Sequence, residues 1–267
     1  MREEFKYLVP NDKMDMLRAL ISPYVIRDDH IAIHRDSDYT VRSIYYDTWD
    51  LNEYDIKLAG LHTRKKLRIR GYNHHPYDNT VYLEIKHKYN MAIKKSRAPI
   101  KYDLIDKFLA GVNISDTVIQ RNDFPAAMEN AINFLFYLKR KSMLPVVLVI
   151  YEREAYIFKF DHSTRVTFDK QLRGISFPKT NSFFSDIGSV PVYSNNFILE
   201  VKSNSGFPKW MINVISKLNV KREALSKYTL SIDAHKNQIN NFNKDQVIAF
   251  SQPLNSYFNN IEYRIKY

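Results

Sequence analysis

The sequence predicts an α+β fold that is built on antiparallel strands, each with one ionic and one apolar face. Four extended stretches carry charges at alternate positions, namely Glu4-x-Lys6, Arg68-x-Arg70, Glu84-x-Lys86 and Glu200-x-Lys202. Side chains at i and i+2 of a strand point to the same face, so the members of each pair lie together. Apolar residues stand between most of these charges. A second observation, the change of hydrophobic period between residues 103 and 140 from two toward about 3.6, predicts helices there.

The first half of the chain is predicted to hold five strands and two helices. Residues 62–72 and 80–88 show the clearest alternation, with cations at even positions of the first and Val81, Leu83 and Ile85 at odd positions of the second. A helix is expected to open at Pro10 and to continue to about residue 21, and another to end at Gly60. The strands are predicted over residues 2–9, 41–47, 62–72, 80–88 and 93–102, and the helices over 10–21 and 49–58.

The second half is predicted to begin with an insert of two helices, over residues 104–109 and 125–138, which we expect to cover the sheet. Four strands follow, each with a run of apolar or alternating residues. Two further helical segments come after the last strand. The predicted strands are 145–154, 156–161, 164–170 and 196–202, and the predicted helical segments are 208–218 and 222–227.

Length and composition indicate a single large domain over residues 1–235, followed by a polar, asparagine-rich tail over residues 236–267. The chain has 267 residues, of which 45% are hydrophobic, enough for an apolar core. It has no cysteine, which excludes disulfides and cysteine-ligated zinc. The net charge of +11 indicates an anionic partner, which could be a phosphate-rich substrate, a nucleic acid or an acidic membrane surface.

The N-terminus predicts a cytoplasmic protein. Met1 leads directly into the charged residues Arg2, Glu3 and Glu4, without the apolar stretch of a signal peptide. No apolar run approaches the roughly 20 residues that a membrane-spanning helix needs.

Strands with one ionic and one apolar face have two physical arrangements. An open sheet buries the apolar face and leaves the ionic face in water, whereas a barrel encloses the charges and packs helices against its apolar exterior. The periodicity does not distinguish them. The composition favours the barrel, because Arg and Lys recur on strand after strand beside single carboxylates.

Any phosphate is expected to be held by side chains. The chain has six glycines and neither glycine-rich phosphate-binding motif, so a backbone cradle is not expected. Arg forks and Lys point charges are the suitable donors. His30 and His34 are spaced like helical metal ligands but lie in a segment that looks extended, and His74 and His75 lie in a predicted turn, so we assign none of them a role.

A series of short motifs, in this order and spacing over residues 2–233, resembles the VTC-domain polyphosphate polymerases, a branch of the triphosphate tunnel metalloenzymes. The matching segments are Glu4-Phe5-Lys6-Tyr7-Leu8, Ser43-Ile44-Tyr45-Tyr46-Asp47-Thr48, Lys66-Leu67-Arg68-Ile69-Arg70-Gly71-Tyr72, Leu83-Glu84-Ile85-Lys86, Tyr151-Glu152-Arg153-Glu154-Ala155-Tyr156, Arg165-Val166-Thr167-Phe168-Asp169, Leu199-Glu200-Val201-Lys202 and Ser226-Lys227-Tyr228.

The resemblance implies an antiparallel β-barrel, the triphosphate tunnel, with a charged lumen and external helices, so that residues 1–235 would be a catalytic domain. It implies transfer of the γ-phosphoryl group of ATP onto a growing polyphosphate chain with Mn²⁺ or Mg²⁺. The implied catalytic residues are Lys6, Arg68, Arg70, Lys86, Arg153 and Lys227. The implied substrate-binding residues are Lys95, Arg97, Lys202, Arg165, Ser226 and Tyr45. The implied metal ligands are Glu200, which we prefer because a hard cation favours carboxylate oxygen, and Glu4 and Glu84, with Asp169 as a counter-charge.

Two positions depart from the pattern or leave it ambiguous. Many tunnel enzymes begin with Glu-x-Glu-x-Lys, whereas the first acidic position is Arg2 here, which resembles the polymerase branch more than the hydrolases. The lysine of the strand after residue 92 could be Lys94 or Lys95. We choose Lys95 because it shares a face with Arg97.

Two other functions remain as alternatives: a tunnel hydrolase of tripolyphosphate or organic triphosphates, and a non-catalytic polyanion-binding module. The chain has 19 Tyr and 16 Phe, but on the two clearest strands the ionic face carries only Tyr72 and Tyr82 at its ends. Base stacking would need aromatic residues among the cations, so we expect no specific nucleic-acid partner. The resemblance also implies association with a membrane-protein partner, since relatives are often coupled to one.

Overall fold

The computed structural model describes residues 3–28, 38–73, 80–89 and 92–236. The four histidines considered above and nearly all of the polar C-terminal tail lie outside these ranges.

Within the described ranges, ten strands form one antiparallel sheet. The strands are β1 Glu3–Pro10, β2 Val25–Arg27, β3 Tyr39–Asp47, β4 Thr63–Tyr72, β5 Thr80–Tyr89, β6 Ala92–Lys101, β7 Leu144–Phe158, β8 Asp161–Ser176, β9 Val190–Pro191 and β10 Asn196–Ser203. Their hydrogen-bonded order is β1-β10-β8-β7-β3-β4-β5-β6, with β2 paired to β7 and β9 to β8. The α-helices are α1 Met14–Ile21, α2 Asn52–Leu58, α3 Ile105–Ala110, α4 Ile114–Thr117, α5 Ala127–Arg140, α6 Lys209–Leu218 and α7 Lys227–Ala234.

The chain divides into two compact units, each assembled from separate stretches of sequence. Unit 1 comprises residues 1–42, 149–175 and 186–234, and unit 2 comprises residues 43–148, 176–185 and 235–267. Strands β3 and β7 contribute residues to both units, as does β8 through its last residue, Ser176.

The core of unit 1 lies between the apolar faces of β1, β8 and β10 and the helices α1 and α6. Phe5, Tyr7 and Val9 are buried at odd positions of β1, whereas Lys6 between them is only partly buried. Helices α1 and α6 contribute buried side chains to the same core, Leu17 among them. Because the alternate residues of these strands are polar, the opposite face is left for the ionic side chains.

The core of unit 2 lies on the apolar face of β4, β5 and β6, and the other face of these strands is again ionic. Leu67, Ile69, Leu83 and Ile85 are buried on one face, and α5 packs on β5 and β6 with Phe134 fully buried. The predicted α+β fold of antiparallel strands with ionic and apolar faces is therefore confirmed.

A close contact in unit 2 requires glycine at position 71. A Cβ atom on Gly71 would lie 2.4 Å from Cε1 of Phe183, whose ring is fully buried. Real Cβ atoms do not approach other atoms this closely, so any side chain here would displace the ring.

Asp47 holds the first turn of α2 against the end of β3. Its Oδ1 accepts hydrogen bonds from Glu53 N at 2.9 Å and Thr48 N at 2.7 Å, and its Oδ2 accepts one from Tyr54 N at 2.9 Å. These bonds satisfy backbone donors that a helix N-terminus leaves free. At its other end the helix is followed by Gly60 with φ +70°, which confirms the predicted stop.

Two predicted elements are wrong. Residues 145–154 and 156–161 do not form two strands, because β7 runs without a break from Leu144 to Phe158. The helical segment predicted over residues 222–227 is extended instead: Arg222 pairs with Tyr7, and Glu223 N donates a hydrogen bond of 2.9 Å to Lys6 O. The available edge of β1 therefore satisfies backbone groups that a helix would have paired internally.

No helix within the described ranges is both long enough and apolar enough to cross a membrane.

Candidate functional site

The predicted site residues separate into one group in each unit. Unit 1 contains Lys6, Arg153, Lys227, Lys202, Arg165, Ser226, Glu200 and Glu4, and unit 2 contains Arg68, Arg70, Lys86, Lys95, Arg97, Tyr45 and Glu84.

In unit 2 four cations surround one buried carboxylate, and we call Arg68, Arg70, Glu84, Lys95 and Arg97 the cationic cluster. The strand register brings them together: Glu84 on β5 lies directly opposite Arg68 on β4 and Arg97 on β6. Arg70 and Lys95 stand two residues from these partners and share their face.

Glu84 is the centre of the cationic cluster. Its Oε2 lies 2.7 Å from Nε and 2.6 Å from Nη2 of Arg68. Its Oε1 lies 2.7 Å from Lys95 Nζ and 3.1 Å from Arg97 Nε. Both carboxylate oxygens therefore have cationic neighbours.

Burial opposes ionisation of Glu84, but the four surrounding cations outweigh it and hold the pKa of this carboxyl well below its ordinary value. Burial also lowers the pKa of Lys95. The charges of Arg97 and Arg68 lower it further, whereas the attraction of Glu84 raises it. One buried negative charge is thus shared among more positive charges than it can neutralise. The net positive charge of the cationic cluster therefore favours the binding of a further anion.

Hydroxyl groups and rings orient the arginines of the cationic cluster. Arg68 Nη1 donates to Tyr45 Oη at 2.8 Å, and Arg70 Nε donates to Ser43 Oγ at 3.1 Å. The Arg97 guanidinium lies 3.7 Å from the centroid of the Tyr82 ring. A guanidinium fixed in this way loses little conformational entropy when it binds a planar or tetrahedral anion.

A row of three lysines lies on the same face and includes Lys95 of the cationic cluster. Lys86 on β5 is directly opposite Lys66 on β4 and Lys95 on β6. Like charges in directly opposite positions destabilise a sheet, by up to about 1 kcal/mol for each pair. An anion bound beside this row would reduce the repulsion.

In unit 1 buried carboxylates and cations are nearly equal in number, and we call this group the balanced cluster. Its cations are Lys6, Arg153, Lys202 and Lys227, and its carboxylates are Glu4, Asp169 and Glu200. Asp169 and Glu200 are fully buried, whereas Glu4 is partly exposed.

Arg153 and Lys227 hold the two buried carboxylates of the balanced cluster. Arg153 binds Asp169 in the bidentate manner, with Nε 2.6 Å from Oδ1 and Nη2 2.7 Å from Oδ2. Lys227 Nζ lies 2.5 Å from Glu200 Oε1 and also contacts Asp169 Oδ2. The loss of one partner from such a group leaves a buried charge uncompensated and costs about 3–5 kcal/mol.

Glu200 has two further cationic neighbours. Lys202 Nζ donates to Oε2 at 2.9 Å, and Lys6 Nζ lies 3.5 Å from Oε1. Burial opposes ionisation of Glu200, but the lysines and Arg153 outweigh it and hold its pKa well below its ordinary value. Burial likewise opposes the charge on Lys227, and Asp169 and Glu200 reverse that effect, so its pKa is raised. Glu200 and Lys227 are therefore both ionised near neutral pH.

Lys227 occupies a position that would be unfavourable for a cation in an isolated helix. It is the first residue of α7, where the helix dipole disfavours a cation. Ser226 precedes it, and its Oγ accepts a long hydrogen bond of 3.5 Å from Thr229 N. Lys6 Nζ donates to Leu225 O at 3.1 Å, which ties the preceding segment to β1. The two buried carboxylates compensate for the unfavourable position.

Arg165 does not join the balanced cluster through a described contact. Its Nη2 lies 2.8 Å from Asp28 Oδ2 and 3.2 Å from Tyr39 Oη. On β8 it is directly opposite Lys202 and alternates with Asp169, so it shares their face.

Thr167 is a polar group that the sequence reasoning did not assign to the site. It lies on β8 between Arg165 and Asp169 and directly opposite Glu200. Its side chain is 1% exposed, and its hydroxyl has no hydrogen-bond partner among the described residues. The sequence contained a signal, because Thr167 lies two residues before Asp169 and therefore on the same face of the strand. A single threonine in a strand does not by itself indicate a functional site.

The described residues contain no group of three or more His, Asp or Glu side chains that could hold a metal ion. Of the predicted ligands, Glu84 belongs to unit 2, whereas Glu4 and Glu200 both contact Lys6 and Lys202 in unit 1. Two carboxylates fit Mg²⁺ or Mn²⁺ only if water and substrate phosphates supply the other ligands, which is the usual arrangement at phosphoryl-transfer sites.

The chain matches a known protein family over most of its length. A model of the VTC domain family matches residues 1–236, and the chain belongs to that family. Subunit 4 of the vacuolar transporter chaperone complex of Schizosaccharomyces pombe is 25% identical over 85% of the chain. The alignment covers 36% of the yeast protein, so the chain spans about a third of the length of this relative.

Two solved structures show weak similarity. A Hippeastrum protein assigned as an adenylyl cyclase, with a dominant triphosphatase activity, is 11% identical with a TM-score of 0.48, over 87% of this chain and 96% of that one. The triphosphatase of the Mimivirus capping enzyme is 9% identical with a TM-score of 0.29, over 80% and 90% of the two chains. TM-scores of this size do not establish a common fold.

Proposed function

We propose that this protein is an ATP-dependent polyphosphate polymerase, which transfers the γ-phosphoryl group of ATP to the end of an inorganic polyphosphate chain and releases ADP. Membership of the VTC domain family supports the polyphosphate substrate. The tunnel hydrolase remains the nearest alternative, because the same anion-binding groups would serve it.

The observation that carries the proposal is the excess of positive charge around Glu84. Arg68, Lys95 and Arg97 contact this one carboxylate, and Arg70 lowers its pKa further. A structural salt bridge needs one cation for each carboxylate. The surplus, together with the adjacent row of lysines, matches a substrate with several closely spaced negative charges.

The reaction needs positioning more than covalent chemistry. A terminal phosphate oxygen of the polymer attacks the γ-phosphorus of ATP, the bond from that phosphorus to the bridging β–γ oxygen breaks, and ADP leaves with the electron pair. The transition state is loose, so its charge lies largely on the phosphoryl oxygens. Fixed cations that are aimed at those oxygens lower the barrier without reorganisation.

The cationic cluster supplies such groups in unit 2. Arg68 and Arg70 are held by Tyr45 and Ser43, and we assign them, with Lys86, Lys95 and Arg97, to the binding of phosphate groups. In unit 1 we assign Lys6, Arg153, Lys202 and Lys227 to the same task, with Ser226 as the residue that precedes the helix of Lys227. Arg165 is a substrate contact only if a ligand displaces it from Asp28.

We propose that the reaction uses Mn²⁺ or Mg²⁺. Such a cation, when bound, neutralises charge on the phosphate oxygens. Glu200 and Glu4 would hold it. The four cations around Glu200 orient its carboxylate and keep it ionised.

We also propose a partner and a cellular location for this protein, on grounds other than the charge around Glu84. The relative from S. pombe is named as a subunit of a complex, so we propose that this chain acts with a membrane-protein partner on the cytoplasmic side. The +11 charge is compatible with an anionic surface but does not specify one.

The test is incubation of the purified protein with ATP and Mn²⁺. Formation of long-chain polyphosphate with an equivalent amount of ADP supports the polymerase. Release of orthophosphate without polymer would reject it in favour of the hydrolase. Salt-sensitive binding of polyphosphate without any metal-dependent turnover would indicate the binding module. A variant in which both Arg68 and Arg70 are replaced by Ala is the control for contaminating kinases.

A further inference from the structure

Strands β4, β5 and β6 carry most of the net charge of the chain. These 30 residues contain eleven Lys or Arg and a single carboxylate, Glu84, for a net charge of +10, against +11 for the whole chain. The excess positive charge is therefore concentrated on these three strands.

The charges form successive rows on the ionic face. Beyond the row of Arg68 and Glu84 lies the row of Lys66 and Lys86, and beyond that Arg64 is directly opposite Lys88. Antiparallel strands rise about 3.4 Å per residue, so the row of Arg64 lies about 14 Å along the sheet from the row of Arg68. A linear polyanion that is bound at the cationic cluster and follows the strands would meet each row in turn.

We propose that Arg64, Lys66 and Lys88 form a distal subsite for the polyphosphate chain, several phosphate units away from the position of phosphoryl transfer. This inference rests on the proposed function. The subsite binds the long polymer and does not contact a triphosphate that is held at Glu84.

An anion bound beside Arg64 and Lys88 would stabilise their pairing. The two strands place these like charges directly opposite each other, an arrangement that disfavours pairing. The described contact of the Arg64 guanidinium is a hydrogen bond of 3.2 Å to Leu61 O, a neutral acceptor. Burial lowers the pKa of Arg64, which is consistent with incomplete charge compensation.

A polyphosphate chain fits the subsite better than a membrane surface does. Arg64, Lys66 and Lys88 are each partly buried rather than exposed. The headgroups of a flat bilayer reach cations that project from a protein, whereas a thin linear chain can follow a strand and reach cations between neighbouring side chains. The regular spacing along one face also matches a linear polymer.

The matched control uses the same strands and the opposite face. Lys65 on β4 and Lys94 on β6 are each directly opposite His87 on β5. Along the strands, they lie between the row of Lys66 and Lys86 and the row of Arg64 and Lys88. The test variant is Arg64→Gln with Lys88→Gln, and the control is Lys65→Gln with Lys94→Gln. Each removes two positive charges at the same end of the sheet.

The experiment measures the binding of the full chain to three probes: inorganic tripolyphosphate, long-chain polyphosphate, and vesicles of phosphatidylserine and phosphatidylcholine. We expect the test variant to bind long-chain polyphosphate at least tenfold more weakly and tripolyphosphate within twofold of the wild type. The slope of log Kd against log salt concentration for the long chain should fall by about 1–2, as expected for two lost phosphate contacts. The control variant should bind tripolyphosphate and long-chain polyphosphate with wild-type affinity.

Three outcomes would overturn the subsite. These are unchanged long-chain affinity in the test variant, an equal loss in the control variant, and a loss of vesicle binding without a loss of polyphosphate binding. If any of them occurs while the wild type still synthesises polymer from ATP, the proposed function stands and the distal subsite alone is wrong. If the wild type binds neither phosphate probe, both proposals fail.

Discussion

Thr167 lies directly across the β8–β10 pair from Glu200, and its buried hydroxyl has no hydrogen-bond partner within the part of the chain that the structure describes. A buried hydroxyl without a partner costs about 1–3 kcal/mol. A contact with bound substrate would give this hydroxyl a hydrogen-bond partner.

Thr167→Val therefore separates stability from activity. Valine has the same shape and removes the polar atom, so we expect the free energy of unfolding to stay the same or to rise by about 1 kcal/mol. We expect turnover to fall at least tenfold, while Thr167→Ser keeps most of it. Urea denaturation and polymer synthesis measure the two effects. Wild-type turnover in the valine variant would show that the hydroxyl has no role in the reaction.

Arg70→Ala should reduce polymer synthesis by about 100-fold with little effect on folding. Arg70 is only partly buried, and its removal leaves Glu84 with Arg68, Lys95 and Arg97. The expected loss is that of one electrostatic donor at a reacting phosphoryl group. Ser43→Ala, which removes the acceptor of Arg70 Nε, should cost only a few-fold. Equal losses in the two variants would argue that Arg70 acts through packing instead.

Lys95→Gln and Lys94→Gln form a matched pair of adjacent residues on opposite faces of β6. Lys95 Nζ lies 2.7 Å from Glu84 Oε1, whereas Lys94 is opposite His87 on the other face. We expect Lys95→Gln to raise KM for ATP about tenfold and Lys94→Gln to leave it unchanged. Steady-state kinetics at saturating metal would check this, and the reverse result would assign the strand lysine to Lys94.

Acid should destabilise unit 1 through Glu154. This buried carboxylate contacts Arg18 Nη2 at 2.8 Å and Lys170 Nζ at 3.1 Å, and the Tyr156 hydroxyl donates to it. Burial opposes its ionisation, but these hydrogen bonds lower its pKa from 4.5 to about 2. A depressed carboxyl pKa contributes stability that is complete above pH 4.5 and is lost as the pH falls toward 2.

In Glu154→Gln that contribution is absent, so the unfolding free energy should fall by about 3 kcal/mol at pH 7. Its decrease between pH 4.5 and 2 should also be shallower than in the wild type. Thermal or urea unfolding across this range provides the measurement, with Asp15→Asn, an exposed partner of Arg18, as the control. Parallel pH profiles for Glu154→Gln and the wild type would contradict the assignment.

Gly71→Ala should destabilise unit 2 by about 2–3 kcal/mol, because its Cβ would overlap the Phe183 ring. The double variant Gly71→Ala with Phe183→Leu should recover part of the Gly71→Ala loss, measured against Phe183→Leu alone. Denaturant unfolding of the four proteins gives the coupling energy. Simple additivity would show that the backbone moves and the ring does not.

The sequence predicted the strands with ionic and apolar alternation because their period is a local property. Residues 62–72 and 80–88 lie within one or two residues of β4 and β5, and the same parity placed Lys95 beside Arg97. The extended segment before Lys227 was not predictable, since it depends on β1, which is more than 200 residues away in the chain. The contact of Arg165 with Asp28 and the unpartnered hydroxyl of Thr167 also depend on tertiary register.

The attachment of Lys227 to Glu200 and Asp169 has a consequence for the synthesis of the protein. Both carboxylates, and the strands that bury them, leave the ribosome before the lysine that compensates them. A nascent chain that ends before residue 227 would have to leave this region open to solvent or protonate an acid. Unit 1 should therefore complete its folding late, and a C-terminal truncation after residue 226, which removes α7 and none of the ten described strands, should abolish folding of unit 1.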